Sequence, residues 1–302
     1  MRSQWAATWA ASVIRRRCSM EYLQEFPLVF FTLLVQMAVG MVLVGKCVLG
    51  NEADRALREG VRRQNVAALL LFAVAVIISF VHLGTPLHAP FTLLHVTQSW
   101  LSREILMIGL MGLALLWLVL VGRKKHAVDG EKKAMIVAGL CGIALLFVMS
   151  CVYNQSTMPG WSNWSVFTAF LASMCLLGGS WHGVVLSLRK EGAPVRALGP
   201  CLVWAVLGLV LMAVSLPLAM PEQSAFVNPV SRLLPPACIA WSHGLHALAS
   251  GLGVVLLALA AARGMQGKGF RPALTVPAFL LIVLGEVFGR LVFYLSYSRL
   301  GM

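Results

Sequence analysis

The chain reads as long apolar runs broken by short polar ones. Eight stretches are long and greasy enough to cross a bilayer, at 26–48, 66–83, 102–121, 134–152, 164–188, 198–217, 237–262 and 273–297. A membrane-crossing helix needs about 20 such residues. The short alternating segments of a β-barrel are missing. The pattern predicts an all-α fold, a polytopic integral membrane bundle of eight transmembrane helices. The spans fill most of the 302 residues and leave little for a soluble domain.

Composition agrees. Hydrophobic residues make up 59% and charged ones 12%, where soluble domains run near half and a quarter. A net charge of +13 is compatible with nucleic acid, but its placement points to lipid. Lys46 at the end of span one is followed by Arg55, Arg58, Arg62 and Arg63 before span two, and Arg123, Lys124, Lys125, Lys132 and Lys133 fall between spans three and four. Arg189, Lys190 and Arg196 follow span five, and Arg263, Lys268 and Arg271 follow span seven. The other three loops hold only Arg103 and Arg232. By the positive-inside rule the four basic loops face the cytoplasm, so both termini are predicted to be non-cytoplasmic. Anionic membrane lipid then accounts for the charge, and no nucleic acid partner is expected.

Residues 1–20 sit badly with that topology. Arg2, Arg15, Arg16 and Arg17 resist export, and the Arg cluster follows the apolar part rather than preceding it as in a signal peptide. They are read as an extension, with Met20 as the expected start and 21–302 as one membrane domain. The seven cysteines form no CxxC and are read as apolar fillers.

Against this background the ionisable residues stand out. His82 closes span two, where Gly84 and Pro86 break the helix. Residues 84–101 are apolar but too short to cross and return, which suggests a segment lying in the interface. Ser102 is the expected N-cap of span three, with Glu104 in its first turn. Alternating topology puts His82 and Glu104 at one depth on the outer side. His243 and His246 share a face of span seven at i, i+3, in its outer half. Glu286 and Arg290 are i, i+4 in span eight, followed by Tyr294 and Tyr297. Each has a plain structural explanation, a dipole-stabilised carboxylate or a neutralised pair. Ionisable groups inside a bilayer are nonetheless costly and functional by default.

Four blocks in order, "EFPLVFFTLLVQ", "HLGTP" followed by "SWLSREI", "VYNQSTMPGW" and "GEVFGRLVFY", give the chain a family likeness. From about Glu21 it resembles the membrane anchor subunit of anaerobic dimethyl sulfoxide reductase, a relative of the polysulfide and nitrite reductase anchors. The resemblance implies eight helices, no haem, an iron–sulfur electron-transfer partner subunit and a molybdopterin catalytic subunit. It implies menaquinol as the reductant, with His82 and Glu104 at its site in the bacterial cytoplasmic membrane. His243, His246, Glu286 and Arg290 are supporting candidates from the residues alone. His82 suits a ligand and first base for a quinol hydroxyl, Glu104 a relay, and Arg290 a charge balance held by Glu286. Three other readings stay open, one of them a purely structural anchor with quinol handled elsewhere. A b-type cytochrome anchor would use His82 with His243 or His246 as axial ligands. A small-solute transporter would carry internal repeats with broken helices at mid-membrane, and no repeat is evident in the sequence.

Overall fold

The computed structural model describes residues 2–50, 55–82, 86–124, 128–155, 163–189, 195–225 and 236–295. Side chains are described from Phe26 onward within these ranges, except at 81, 82, 86–90, 216–225, 236–239 and 295. His126, Trp161 and Tyr297 therefore lie outside the described residues.

The elements are α1 (Arg2–Leu49), α2 (Arg55–His82), a 3-10 segment (Pro86–His95), α3 (Trp100–Gly122), α4 (Val128–Asn154), α5 (Ser165–Ser187), α6 (Val195–Ala225), α7 (Pro236–Met265) and α8 (Pro272–Leu295). Each α-helix contains one stretch long and apolar enough to cross a membrane, eight among the described residues. At 1.5 Å per residue, the 24 residues Phe26–Leu49 reach across the roughly 30 Å of bilayer hydrocarbon. The all-helical prediction holds. Leu70 and Ile77 on α2, Leu113 on α3, Leu140 on α4 and Val203 on α6 are more than half exposed, which suits a surface bathed in lipid chains.

Several helices run past the predicted spans, α1 from Arg2 and α6 on to Ala225 among them, and two of these boundaries move basic residues. Helix α2 starts at Arg55 and α4 at Val128, so Arg58, Arg62, Arg63, Lys132 and Lys133 belong to helices rather than loops. An apolar window cannot see these turns, but Arg, Lys, Glu and Leu are good helix formers. Asp129 and Glu131 in the first turn of α4 also suit the positive end of the helix dipole.

The helices form two four-membered units. In the first, α1 packs on α2 and α4, α2 on α3, and α3 on α4; in the second, α5 packs on α6 and α8, α6 on α7, and α7 on α8. The units meet mainly along α1 and α5, the two most enclosed spans, each 78% buried. Their crossing is a backbone contact. A Cβ on Gly40 would lie 2.2 Å from the Met174 carbonyl oxygen, and one on Gly178 would lie 2.6 Å from the Gly40 carbonyl carbon. In lipid, where tails are as apolar as leucine, such close van der Waals approach of small residues is a main source of helix association. The order of helix neighbours is the same in both units, although no repeat is evident in the sequence.

Candidate functional site

Eight antiparallel crossings bring the C-termini of α2, α4, α6 and α8 to the same end as the N-termini of α1, α3, α5 and α7. All the predicted site residues lie toward that end. At the opposite end, Arg62 binds Glu131 through two nitrogens, Nη2 to Oε2 at 2.8 Å and Nε to Oε1 at 3.1 Å. That pair ties α2 to α4. His182, also toward that end, is fully buried, with Nδ1 on the Gly178 carbonyl at 3.0 Å.

Within the bundle, four polar groups join α1, α5 and α8. Gln36, Ser173, Glu286 and Arg290 are each at most 4% exposed. Arg290 Nη2 donates to Gln36 Oε1 at 3.0 Å and to Ser173 Oγ at 3.1 Å. The Ser173 hydroxyl, accepting from Arg290, donates to Glu286. His246 Nε2 lies 3.1 Å from the other carboxylate oxygen, and an ionised carboxylate can only accept, so Nε2 carries the hydrogen. The guanidinium also stacks on Phe170, 4.3 Å from the ring centre. The expected direct Glu286–Arg290 pair is corrected: the two charges are joined through Ser173. One turn apart on α8, they straddle α5 instead of reaching for each other. The network is close to neutral as a whole, which is what a low-dielectric interior demands.

Glycines on α8 make this approach possible. A Cβ on Gly285 would lie 2.5 Å from Ser250 Oγ, and one on Gly289 would lie 2.7 Å from the His246 ring. The bare face Gly285–Gly289 thus admits α7 closely enough for His246 to reach Glu286.

Glu104 is placed differently. The N-cap of α3 is Ser99, with φ −119° and ψ 129°, its side chain accepting from the Ser102 N–H at 3.5 Å. That corrects the predicted cap at Ser102. Glu104 falls in the second turn, so the helix dipole alone does not account for it. Its side chain is 8% exposed and hydrogen-bonds to no other described residue. Tyr153 and Tyr294 lie close enough to feel its charge, and their hydroxyls meet at 2.6 Å. Ahead of the helix, Arg103 donates to the Val96 and Thr97 carbonyls, both at 2.8 Å, and stacks on Trp100 at 4.2 Å. It fastens the turn that follows the 3-10 segment to the start of α3. His82 is the last residue of α2, at the same end as Glu104; its side chain lies outside the described residues.

A cleft opens among α5, α6, α7 and α8, with a volume of about 80 Å³. Its walls include Val166, Ala169, Met212 and Phe293, and its polar groups include Ser215, His243, His246, Glu286 and Arg290. His243 Nδ1 is buried without a hydrogen-bond partner among the described residues. So the structure gathers His243, His246, Glu286 and Arg290 into one wall, with Glu104 beyond the tyrosine pair. Gln36, Ser173 and Tyr153 were missed in the sequence. A glutamine inside "TLLVQMAV" was the available signal, since a buried amide in an apolar span needs a partner. Among the described residues no three or more His, Cys, Asp and Glu side chains converge as a metal site would require.

Residues 20–295 match the family described as DMSO reductase anchor subunit (DmsC). The protein belongs to that family. It is 29% identical over 286 residues to YnfH, an anaerobic dimethyl sulfoxide reductase subunit of Escherichia coli, covering 92% of this protein and 96% of that one. The C subunit of anaerobic dimethyl sulfoxide reductase from Escherichia coli is 29% identical over 295 residues, with the same coverage. The C subunit from Haemophilus influenzae is 33% identical over 173 residues, 56% of this protein and 61% of that one. Family membership and eight candidate spans make this DmsC-family protein a multi-pass membrane anchor subunit. All the groups described above fall within the matched range.

Proposed function

We propose that this protein anchors a dimethyl sulfoxide reductase-type molybdoenzyme complex in the bacterial cytoplasmic membrane and oxidises menaquinol there. Each quinol gives up two electrons and two protons. The electrons pass to an iron–sulfur partner subunit and on to a molybdopterin catalytic subunit, and the anchor itself uses no haem. His82 holds a quinol oxygen and takes its proton, and Glu104 accepts a proton and hands it to water at the same end. The apolar 3-10 segment, whose following turn is pinned by Arg103, walls the ring and tail. The basic loops face the cytoplasm, so this end and both termini lie outside, and the partner subunits dock there, within electron-transfer reach of the quinol.

The observation that carries this reading is Glu104. A carboxylate at membrane depth costs several kcal/mol unless it is neutralised or paired. Glu286 has His246 and Ser173, whereas Glu104 has no hydrogen-bond partner among the described residues and is therefore free for a ligand hydroxyl.

The test uses membranes carrying the whole complex. Glu104→Gln and His82→Leu should each lower menaquinol-dependent acceptor reduction at least about tenfold, the loss of one hydrogen bond of roughly 1.4 kcal/mol in the transition state. Reduction driven by a viologen dye that feeds the partner subunits directly should be unchanged. Normal menaquinol-dependent rates in both variants would refute the assignment.

A further inference from the structure

Both units start from the same end of the bundle and run in the same direction, because four crossings separate α1 from α5. Two contacts between the units are reciprocal. A Cβ on Gly40 would lie 3.0 Å from the Gly178 Cα, and a Cβ on Gly178 would lie 2.7 Å from the Gly40 Cα. Tyr153 on α4 and Tyr294 on α8 share one hydrogen bond between like groups. Mutual contact of corresponding residues is the mark of a two-fold axis. Here it is a pseudo-two-fold running along the helices, relating α1–α4 to α5–α8.

That axis carries Glu104 to a definite place. The shift that takes Tyr153 onto Tyr294, 141 positions, takes Glu104 onto Leu245. The shift that takes Gly40 onto Gly178 takes it onto Ser242. The counterpart of the Glu104 turn on α3 is thus the turn of α7 that holds His243. Both units place a proton-carrying side chain at the same turn of the third helix, and in the second unit a cleft opens beside it.

The cleft has the make-up of a site for an aromatic ring bearing oxygens. Its walls are aliphatic and aromatic, and a few polar groups converge on it. His243 Nδ1 accepts from a hydroxyl in one tautomer and donates to a carbonyl in the other. Arg290 brings a positive charge to the lining, and Ser215, whose hydroxyl hydrogen goes to the Met212 carbonyl at 2.8 Å, offers an acceptor. We propose that the cleft among α5, α6, α7 and α8 is a second head-group site, binding the ring of a quinol or quinone through His243, on the turn of α7 that answers to the Glu104 turn of α3. The ligand class rests on the function proposed above; the cleft and its unpartnered imidazole do not.

The test is photolabelling of the purified complex with an azido-naphthoquinone, followed by peptide mapping with and without excess unlabelled menadiol. The expected result is competable adducts within 163–173 and 240–248, separate from any near 86–105. Ala169→Leu, which fills the cleft, should lower the first set at least fivefold and spare the second. His243→Leu, at a partly exposed position where folding is at little risk, should weaken menadiol competition in the cleft about tenfold, the value of one hydrogen bond near 1.4 kcal/mol. Adducts confined to 86–122 would overturn the second site while leaving the quinol function standing. No competable adduct anywhere would remove the ligand class from both sites.

Discussion

Substituting Gly289 by alanine tests whether the bare face of α8 is what brings His246 to Glu286. The added Cβ would sit 2.7 Å from both Cε1 and Nδ1 of His246 and 3.1 Å from Cγ. Carbon contacts settle near 3.5 Å, so the ring must withdraw from α8 by about 0.8 Å. Glu286 is on α8 as well. Nε2 would then move from 3.1 Å to nearly 4 Å from Oε1, outside hydrogen-bond range. Overpacking costs about 1–3 kcal/mol, and a lost bond to a charged group about 1.5–3 kcal/mol. Alanine recovers about 0.5–1 kcal/mol of helix propensity. The balance is a loss of roughly 1.5–5.5 kcal/mol, in which the helix gain is the smallest entry. Gly251 on α7 is the control, because a Cβ there meets nothing within 4 Å and only the propensity gain remains. Heating the detergent-solubilised complex and measuring the protein that stays monodisperse reads both. Gly289→Ala should lose several degrees and Gly251→Ala should lose none. Adding His246→Ala to Gly289→Ala should relieve the clash and restore part of the loss. Equal thermal stability of Gly289→Ala and Gly251→Ala would refute the reasoning.

Two further outcomes follow from the buried network and the unit interface. Arg290→Met leaves the Glu286 carboxylate without its cation and should cost about 3–5 kcal/mol; adding Glu286→Gln removes that charge, so the double variant should be more stable than Arg290→Met alone, and strictly additive thermal losses would sink the network. Gly40→Ala drives a methyl to 2.2 Å from a backbone oxygen, which cannot rotate away, and should cost roughly 3 kcal/mol or more; membrane yield near that of the unaltered protein would contradict the α1–α5 contact.

The sequence made the helices legible because crossing a bilayer requires long apolar runs and nothing else in the chain resembles them. It also placed His82, Glu104, His243, His246, Glu286 and Arg290 toward one end, since alternation fixes which helix end is which. Partner choice was not legible. Glu286 and Arg290 stand one turn apart, and spacing alone suggests a direct pair; what separates them is Ser173, more than a hundred positions away in α5. The cap at Ser99 was missed for a local reason. "SWLSRE" offers two serines three positions apart, and the first wins because the turn after the 3-10 segment ends just before it, fastened by Arg103.

The repeat escaped for a physical reason too. A lipid-facing helix surface needs only to be apolar, so Leu, Val, Ile and Phe exchange freely and two units of like helix order need share little sequence. What must persist lies on the axis between them, where Gly40 meets Gly178 and Tyr153 meets Tyr294. The units then divide the chemistry. Glu286 accepts from His246 and Ser173 and is balanced through that serine by Arg290; protonating it would disturb the bond on the oxygen that takes the proton and leave a buried cation without a counter-charge. Protonating Glu104 disturbs none. A carboxylate that must gain and lose a proton at every turnover does so most readily where no protein bond depends on its charge. The proton exchange proposed above is therefore assigned to the Glu104 side, and Glu286 with Arg290 holds α1, α5, α7 and α8 in register around the cleft. Arg290, expected to balance charge at a quinol, is already committed to Gln36 and Ser173, so its charge serves the bundle before it serves a ligand.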